Sequence, residues 1–533
     1  MPDTDWYLHG GTVLDGRGRA LPADLLLAGG RVAAVLPRGA APGGESGVAA
    51  GARHLDCSGC FVAPGFIDAH THDDTAATDP GCYEAKIRQG ITTCIVGQDG
   101  FSWAPVPEDA GRRGAFVHYW RPVNGLPQAP DGQGLLHVRL AGYLQALRGR
   151  LGPNVAALAG HVNLRLPHGG FDLCALAPAQ RRQMVAALEE ACDDGACGLS
   201  TGLTYIPARA ADTAELLALT PTLARHGLPY VSHLRGYGAD IFAATAEALV
   251  LARQTGCAVH LSHLHISAAP AWGRAAELLA ELDRARGEGL RVTWDLYPYQ
   301  AGSSVLYQYL APELQDGGPA AFLRRLRAPG TVGRLAADAT FLAQDWSSYI
   351  IAHTASGRCV GQSVAEVAER GGRPLAAAVV ELLLAEDLDV GVIVHQTQEA
   401  DDDQFLLHPA CALGSDGIFQ TGRPHPRAYG AFARFWRRFV HEARRLSPAE
   451  AAVRMSGGAA RIHGLVDRGE LRPGAAADVA VFDGEALADA ATYDAPCRFA
   501  SGVCHVFVNG RAVLLQGVFD RSARPGLPLR PGG

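Results

Sequence analysis

Two histidines, His70 and His72, stand two residues apart at the polar end of an apolar run, PGFIDAHTHDD, at residues 64–74. In an extended strand alternate side chains share a face, so the two imidazoles point the same way and can hold one metal ion between them. Taken alone, a His-x-His pair reads equally well as two solvated surface histidines. Four further runs end in residues of the same chemistry: Asp99 in VGQDG, His233 in YVSHLRG, His263 in LSHLHIS and Asp416 in GSDG. Four imidazoles and two carboxylates are the ligand types of a catalytic centre that holds one or two zinc-like divalent ions and leaves a position open to water.

For residues so distant in sequence to meet, the elements that carry them must bring their ends to one rim. Residues 63–465 alternate strand-like and helical runs, the pattern of βα units around a parallel sheet. Eight such runs turn polar at their ends, and amphipathic stretches at 177–194, 213–226, 241–255 and 274–286 have ordinary helix length. The expected fold class is α/β, a (β/α)8 TIM-type barrel, whose chemistry sits at the carboxyl ends of its strands. The connection after the seventh run, residues 301–362, is too long for a plain loop and reads as an insertion over the site. Residues 1–62 and 466–533 carry short alternating runs with Gly-rich turns, which predict hairpins pairing into one small β-sandwich domain made from both termini. Residues 39–51, rich in Gly, Ala and Pro, read as a loop.

Composition narrows the partners. The 533 residues are 48% hydrophobic and 19% charged, which gives a well-buried globular protein with room for two domains. A net charge of -7 without a Lys/Arg run offers no footprint for nucleic acid or an anionic membrane, so the expected partner is a small-molecule substrate. The opening MPDTDWYLHG lacks a basic segment followed by an apolar one, and no stretch is long enough to span a bilayer, so the expected location is cytoplasmic. The twelve cysteines are scattered, several inside apolar runs, and Cys57-Ser-Gly-Cys60 has no second pair at zinc-ribbon spacing. They are read as reduced thiols.

With these motifs in place, the chain resembles the amidohydrolase superfamily, and within it the N-acyl-D-amino-acid deacylases, or D-aminoacylases. The resemblance runs nearly end to end, through PGFIDAHTHDD, GACGLSTGLTYIPA (195–208), DLYPYQAGSS (295–304), HPRAYG (425–430) and DRGELRPGAAADVAVFD (467–483). It implies hydrolysis of N-acyl-D-amino acids to a D-amino acid and a carboxylate. It also implies that His233 and His263 hold the tighter ion while His70, His72 and Asp416 hold or approach a weaker one. Asp99 departs from the family, which usually has a cysteine there; a carboxylate is a harder ligand, so zinc is the expected ion with its identity and number open. Asp416 is the expected catalytic residue, taking a proton from water and returning it to the leaving amine. Arg427 and Tyr297 match positions the family uses to hold the substrate's α-carboxylate, and Ser303 is a further candidate. His265 stands where relatives often have a lysine, and a neutral imidazole grips a carboxylate less strongly.

Other readings stay open at this level. Gly198-Leu199-Ser200-Thr201-Gly202 fits the G-x-S-x-G of a nucleophile elbow, although a turn-like stretch follows it instead of a helix. Cyclic amide or ureide hydrolases share the expected barrel, but typically need a carboxylated lysine at the fourth strand's end, and Leu199-Ser200-Thr201 has none. A scaffold without activity that binds a partner through the barrel face would hold no metal.

Overall fold

A computed structural model describes residues 5–39, 51–124 and 134–532. The expected loop at 39–51 lies, from residue 40 to 50, outside the described residues.

Eight short strands carry the runs singled out above: Phe66–Asp68, Ile91–Val96, Asn154–Ala157 continued by Ala159–Gly160, Leu199–Gly202, Pro229–His233, Ala258–Leu261, Val292–Leu296 and Cys411–Leu413. Each pairs in parallel with the next. Past the eighth, Gly417 forms a parallel bridge to Thr71, and Ala69 donates its N–H to the Leu413 carbonyl at 3.1 Å, so the last strand lies beside the first. Helices cover these strands, which is why a run such as Ile91–Val96 is buried at every position instead of alternating.

The helices begin and end where local chemistry dictates. Asp212 caps Thr213–His226 by accepting the Glu215 N–H at 2.7 Å, and Gly227, at φ +69°, supplies the left-handed turn that stops it. Ile241–Thr255 ends the same way at Gly256.

After the seventh strand the chain leaves this arrangement and builds an antiparallel sheet of Ala301–Val305, Val390–His395 and Tyr349–Thr354. This sheet reaches beyond residue 362 to His395, because its central strand returns only after the helices Val364–Arg370 and Leu375–Ala385. Its apolar face packs with Phe116, Tyr119 and Trp120 of the helix Ala110–Asn124.

Strands from the two ends of the chain share a sheet. Phe61–Pro64 pairs antiparallel with Val479–Phe482, and a second sheet, Arg31–Pro37, Ala23–Ala28, Trp6–His9 and Arg53–Asp56, joins it across a core that includes Leu25, Val62, Val481 and Phe507. No helix among the described residues is long and apolar enough to cross a membrane.

Candidate metal centre and substrate cavity

The six expected ligands sit at the carboxyl ends of five of the eight strands, and none is more than 7% exposed. Three of them, Asp99, His263 and Asp416, have φ of +56°, +32° and +48°. Left-handed backbone costs a residue with a Cβ about 1–3 kcal/mol and persists where surrounding bonds hold it. Such bonds are present: the His263 N–H donates to Asp295 Oδ1 at 2.8 Å, and the Asp416 N–H donates to the His70 carbonyl at 2.7 Å.

Asp99 occupies the centre. Its Oδ1 lies 3.6 Å from His70 Nε2 and from His263 Nε2, and its Oδ2 lies 3.6 Å from His72 Nε2 and 3.7 Å from His233 Nδ1. Asp416 Oδ1 approaches from the other side, 3.2 Å from His72 Nε2 and 3.6 Å from His70 Nε2. His70 Nε2 and Asp99 Oδ1 are buried with no hydrogen-bond partner among the described residues, although they face each other. Buried polar atoms left so are costly, and an ion between them removes the cost. Two sets, His70/His72/Asp416 and His70/Asp99/His263, bring one ligand atom from each residue within 4.8 Å of the others. These residues therefore fit a divalent cation. Burial pushes the His70 imidazole down, but Asp295, Asp416 and Asp99 outweigh it and raise its pKa to about 10. Burial likewise pushes Asp99 up, yet His233 and His263 hold its carboxyl well below the usual range.

Two supports escaped the sequence reading. Asp295, inside the seventh strand, places Oδ2 3.3 Å from His70 Nδ1 and 2.9 Å from His260 Nε2, orienting the first ligand from behind. The signal was there: Asp295 and His260 are the ionisable residues inside the strand runs VTWDL and AVHL. His233 Nε2 lies 2.7 Å from Thr204 Oγ1, which also accepts from Gln308 Nε2 at 2.9 Å, so a residue of the insertion reaches a ligand through one hydroxyl.

The cluster floors a cavity of about 210 Å³ whose walls include Tyr297, Ser303 and His265. Burial and then His263 lower the His265 pKa to about 3, so its ring, stacked on Tyr237 at 4.8 Å, is neutral. Arg427 is fully buried, with its guanidinium 4.5 Å above the Tyr297 ring and Nη1 2.8 Å from Asp416 Oδ2. It thus stands behind Asp416 and is occupied by it. Burial raises Asp416, but Arg427 and His70 outweigh that and hold its carboxyl below the ordinary range. Ser200 serves as a strut: its Oγ donates to the Gly97 carbonyl and accepts the Gly100 N–H at 3.0 Å, and no histidine is among its hydrogen-bond partners in the described residues, which argues against a nucleophile elbow.

Residues 53–318 and 348–514 match the amidohydrolase family. The N-acyl-D-glutamate deacylase of Alcaligenes xylosoxydans xylosoxydans is 37% identical over 99% of this chain and 96% of its own. The D-aminoacylase of the same organism is 34% identical, over 97% and 95%. A crystal structure of N-acyl-D-glutamate deacylase from Bordetella bronchiseptica, complexed with zinc and a phosphonate inhibitor, superposes with a TM-score of 0.82 at 35% identity, covering 99% of this chain and 100% of that one. With six candidate metal ligands assembled at strand ends and these matches running almost end to end, the chain belongs to the amidohydrolase family.

Proposed function

We propose that this protein hydrolyses the amide bond of N-acyl-D-amino acids, giving a D-amino acid and a carboxylate. The observation that carries this reading is the convergence of four imidazoles and two carboxylates, of which His233, His263, Asp99 and Asp416 line a cavity together with Tyr297. The D configuration comes from the names of the relatives. In the same reading the parallel ladder of residues 63–465 is a (β/α)8 barrel, and residues 1–62 and 466–533 together form a β-sandwich.

His70, His72, Asp99, His233, His263 and Asp416 would hold one or two ions, zinc being the one bound by the similar Bordetella enzyme. A bound divalent ion polarises the scissile carbonyl and lowers the pKa of a water. The remaining work belongs to side chains. Asp416, kept ionised by Arg427, accepts a proton from the attacking water. Oxygen bonds to the acyl carbon, the C–N bond breaks, and Asp416 returns the proton to the departing nitrogen. Tyr297 and Ser303 on the cavity wall meet the α-carboxylate and the positive charge of Arg427, behind the wall and against Asp416, favours it there without a direct contact, while neutral His265 contributes a weaker, uncharged contact.

A ring-opening amidohydrolase with a carboxylated lysine finds no support. The fourth strand, Leu199–Gly202, has no lysine, and the one lysine of the whole chain, Lys86, is bound elsewhere. The deciding experiment is a panel of N-acetyl-D- and N-acetyl-L-amino acids, assayed after chelation and again with zinc, cobalt or manganese added. Turnover of D-substrates restored by metal is expected. Failure to hydrolyse any D-substrate with any metal rejects the assignment.

A further inference from the structure

Of the 47 lysines and arginines in this sequence, one is a lysine. It is Lys86, on the helix Pro80–Ile87, and it is fully buried. Its Nζ lies 2.7 Å from Asp68 Oδ2, 3.1 Å from Asp73 Oδ2, 2.9 Å from Thr71 Oγ1 and 2.9 Å from Ser415 Oγ. These partners flank the metal centre in sequence: Thr71 stands between His70 and His72, Asp73 follows His72, and Ser415 precedes Asp416. Asp68 closes the set, accepting the Ser415 N–H at 2.7 Å on Oδ1 and the Ser415 hydroxyl at 2.6 Å on Oδ2. One ammonium therefore ties the end of the first strand to the end of the eighth, directly behind the residues that must converge.

The head group is suited to the place. An ammonium is a compact charge with three rotatable donors, whereas a guanidinium is a larger planar fork. There is no spare room, since a Cβ built on Gly417 would lie 2.9 Å from Nζ. Everywhere else the chain uses arginine.

We propose that Lys86 is a positioning residue of the reaction: it touches neither ion nor substrate, and it clamps His70, His72 and Asp416 into one ligand set. The inference rests on the metal-dependent reading above. Lys86→Met strands two buried carboxylates and can fail to fold, so the test uses Lys86→Arg together with Ser415→Ala and Thr71→Val, which each delete one link. Zinc affinity is measured on metal-stripped protein by competition with a chromophoric chelator, well below the melting temperature. All three variants are expected to bind the ion held by His70, His72 and Asp416 more weakly, by on the order of 10- to 100-fold. Turnover at saturating zinc and substrate should fall in parallel, with KM little changed. Leu282→Ala, a cavity in a helix remote from these groups, sets what lost stability alone does to zinc affinity. Variants that bind zinc like wild type, or no worse than Leu282→Ala, overturn the clamp. A wild-type chain that binds no zinc overturns the metal reading itself, and the clamp with it.

Discussion

Asp416 stands between a cation behind it and two imidazoles in front, and that placement decides what it can do. With Arg427 at 2.8 Å its carboxyl stays ionised at neutral pH, as the proposed role of taking a proton from water requires. Asp416→Asn keeps the shape and removes the proton carrier, so turnover should drop by roughly 10²- to 10⁴-fold at equal metal content; a variant within tenfold of wild type would reassign the proton transfer. His70 makes a second statement. Raised to about 10 by its three carboxylates, it carries a proton at pH 7.5 in the metal-free protein, and only the neutral ring is a ligand. Ion uptake must expel that proton, so zinc affinity should weaken as pH falls. Titrating zinc into lightly buffered apoprotein with a pH indicator should show about one proton released as the ion held by His70 binds; no release would mean His70 is already neutral. The six candidate ligands, which the fold brings together, were legible as a group because each ends a strand-like run. Thr204 was not, because its importance lies in meeting His233 and Gln308 across the fold, and spacing along the chain carries no trace of that.

At the level of elements, the sequence was most readable where one periodicity ran long enough between strong punctuation. Thr213–His226 and Ile241–Thr255 begin and end where the 3.6-residue pattern and the closing glycines place them. The insertion was harder to read, since its helices Val364–Arg370 and Leu375–Ala385 look like ordinary barrel helices until the return strand Val390–His395 pairs on both sides. The following helix, Glu399–Leu407, opens with Glu399, Asp401, Asp402 and Asp403, and Asp402 is 2% exposed. Burial, then the neighbouring Asp401 and Asp403, raise its carboxyl from 3.8 to about 7, against the Thr397 hydroxyl bond and Arg438. The folded protein therefore holds this proton more tightly than the unfolded chain. Its contribution to stability is complete below 3.8 and is lost as pH rises through about 7. Asp402→Asn keeps an acceptor for Thr397 and removes the charge, so it should raise Tm more at pH 8 than at pH 5. Melts that gain equally at both would show that Asp402 is ionised throughout.

For the molecule as a whole, the two ends of the chain meet the parallel strands at a point remote from the catalytic rim. Asp478 is the hub: its carboxylate accepts from Arg468, from Asn154 Nδ2 at 2.9 Å at the start of the third strand, and from the Asn509 N–H at 2.7 Å. Asn154 Oδ1 in turn accepts from Asn509 Nδ2 at 2.7 Å and the Leu527 N–H at 3.0 Å, and Pro528–Leu529 adds a strand beside Val155–Ala156. That both termini share a sheet followed from their common hairpin texture. The junction did not, because a single buried aspartate in an apolar run does not name its partners. Asp478→Ala removes the nearer carboxylate of the Arg468 guanidinium, 8% exposed, and leaves it, among the described residues, only Asp467 Oδ1, 3.5 Å from Nε, so the cost stays below the about 3–5 kcal/mol of a fully broken buried ion pair. The loss should appear as a lower Tm and denaturation midpoint, while zinc affinity and kcat of the folded enzyme at 25 °C stay at wild-type values. If kcat falls together with stability, the terminal sheets are coupled to the metal centre through the third strand, and the division between a catalytic rim and a structural base is wrong.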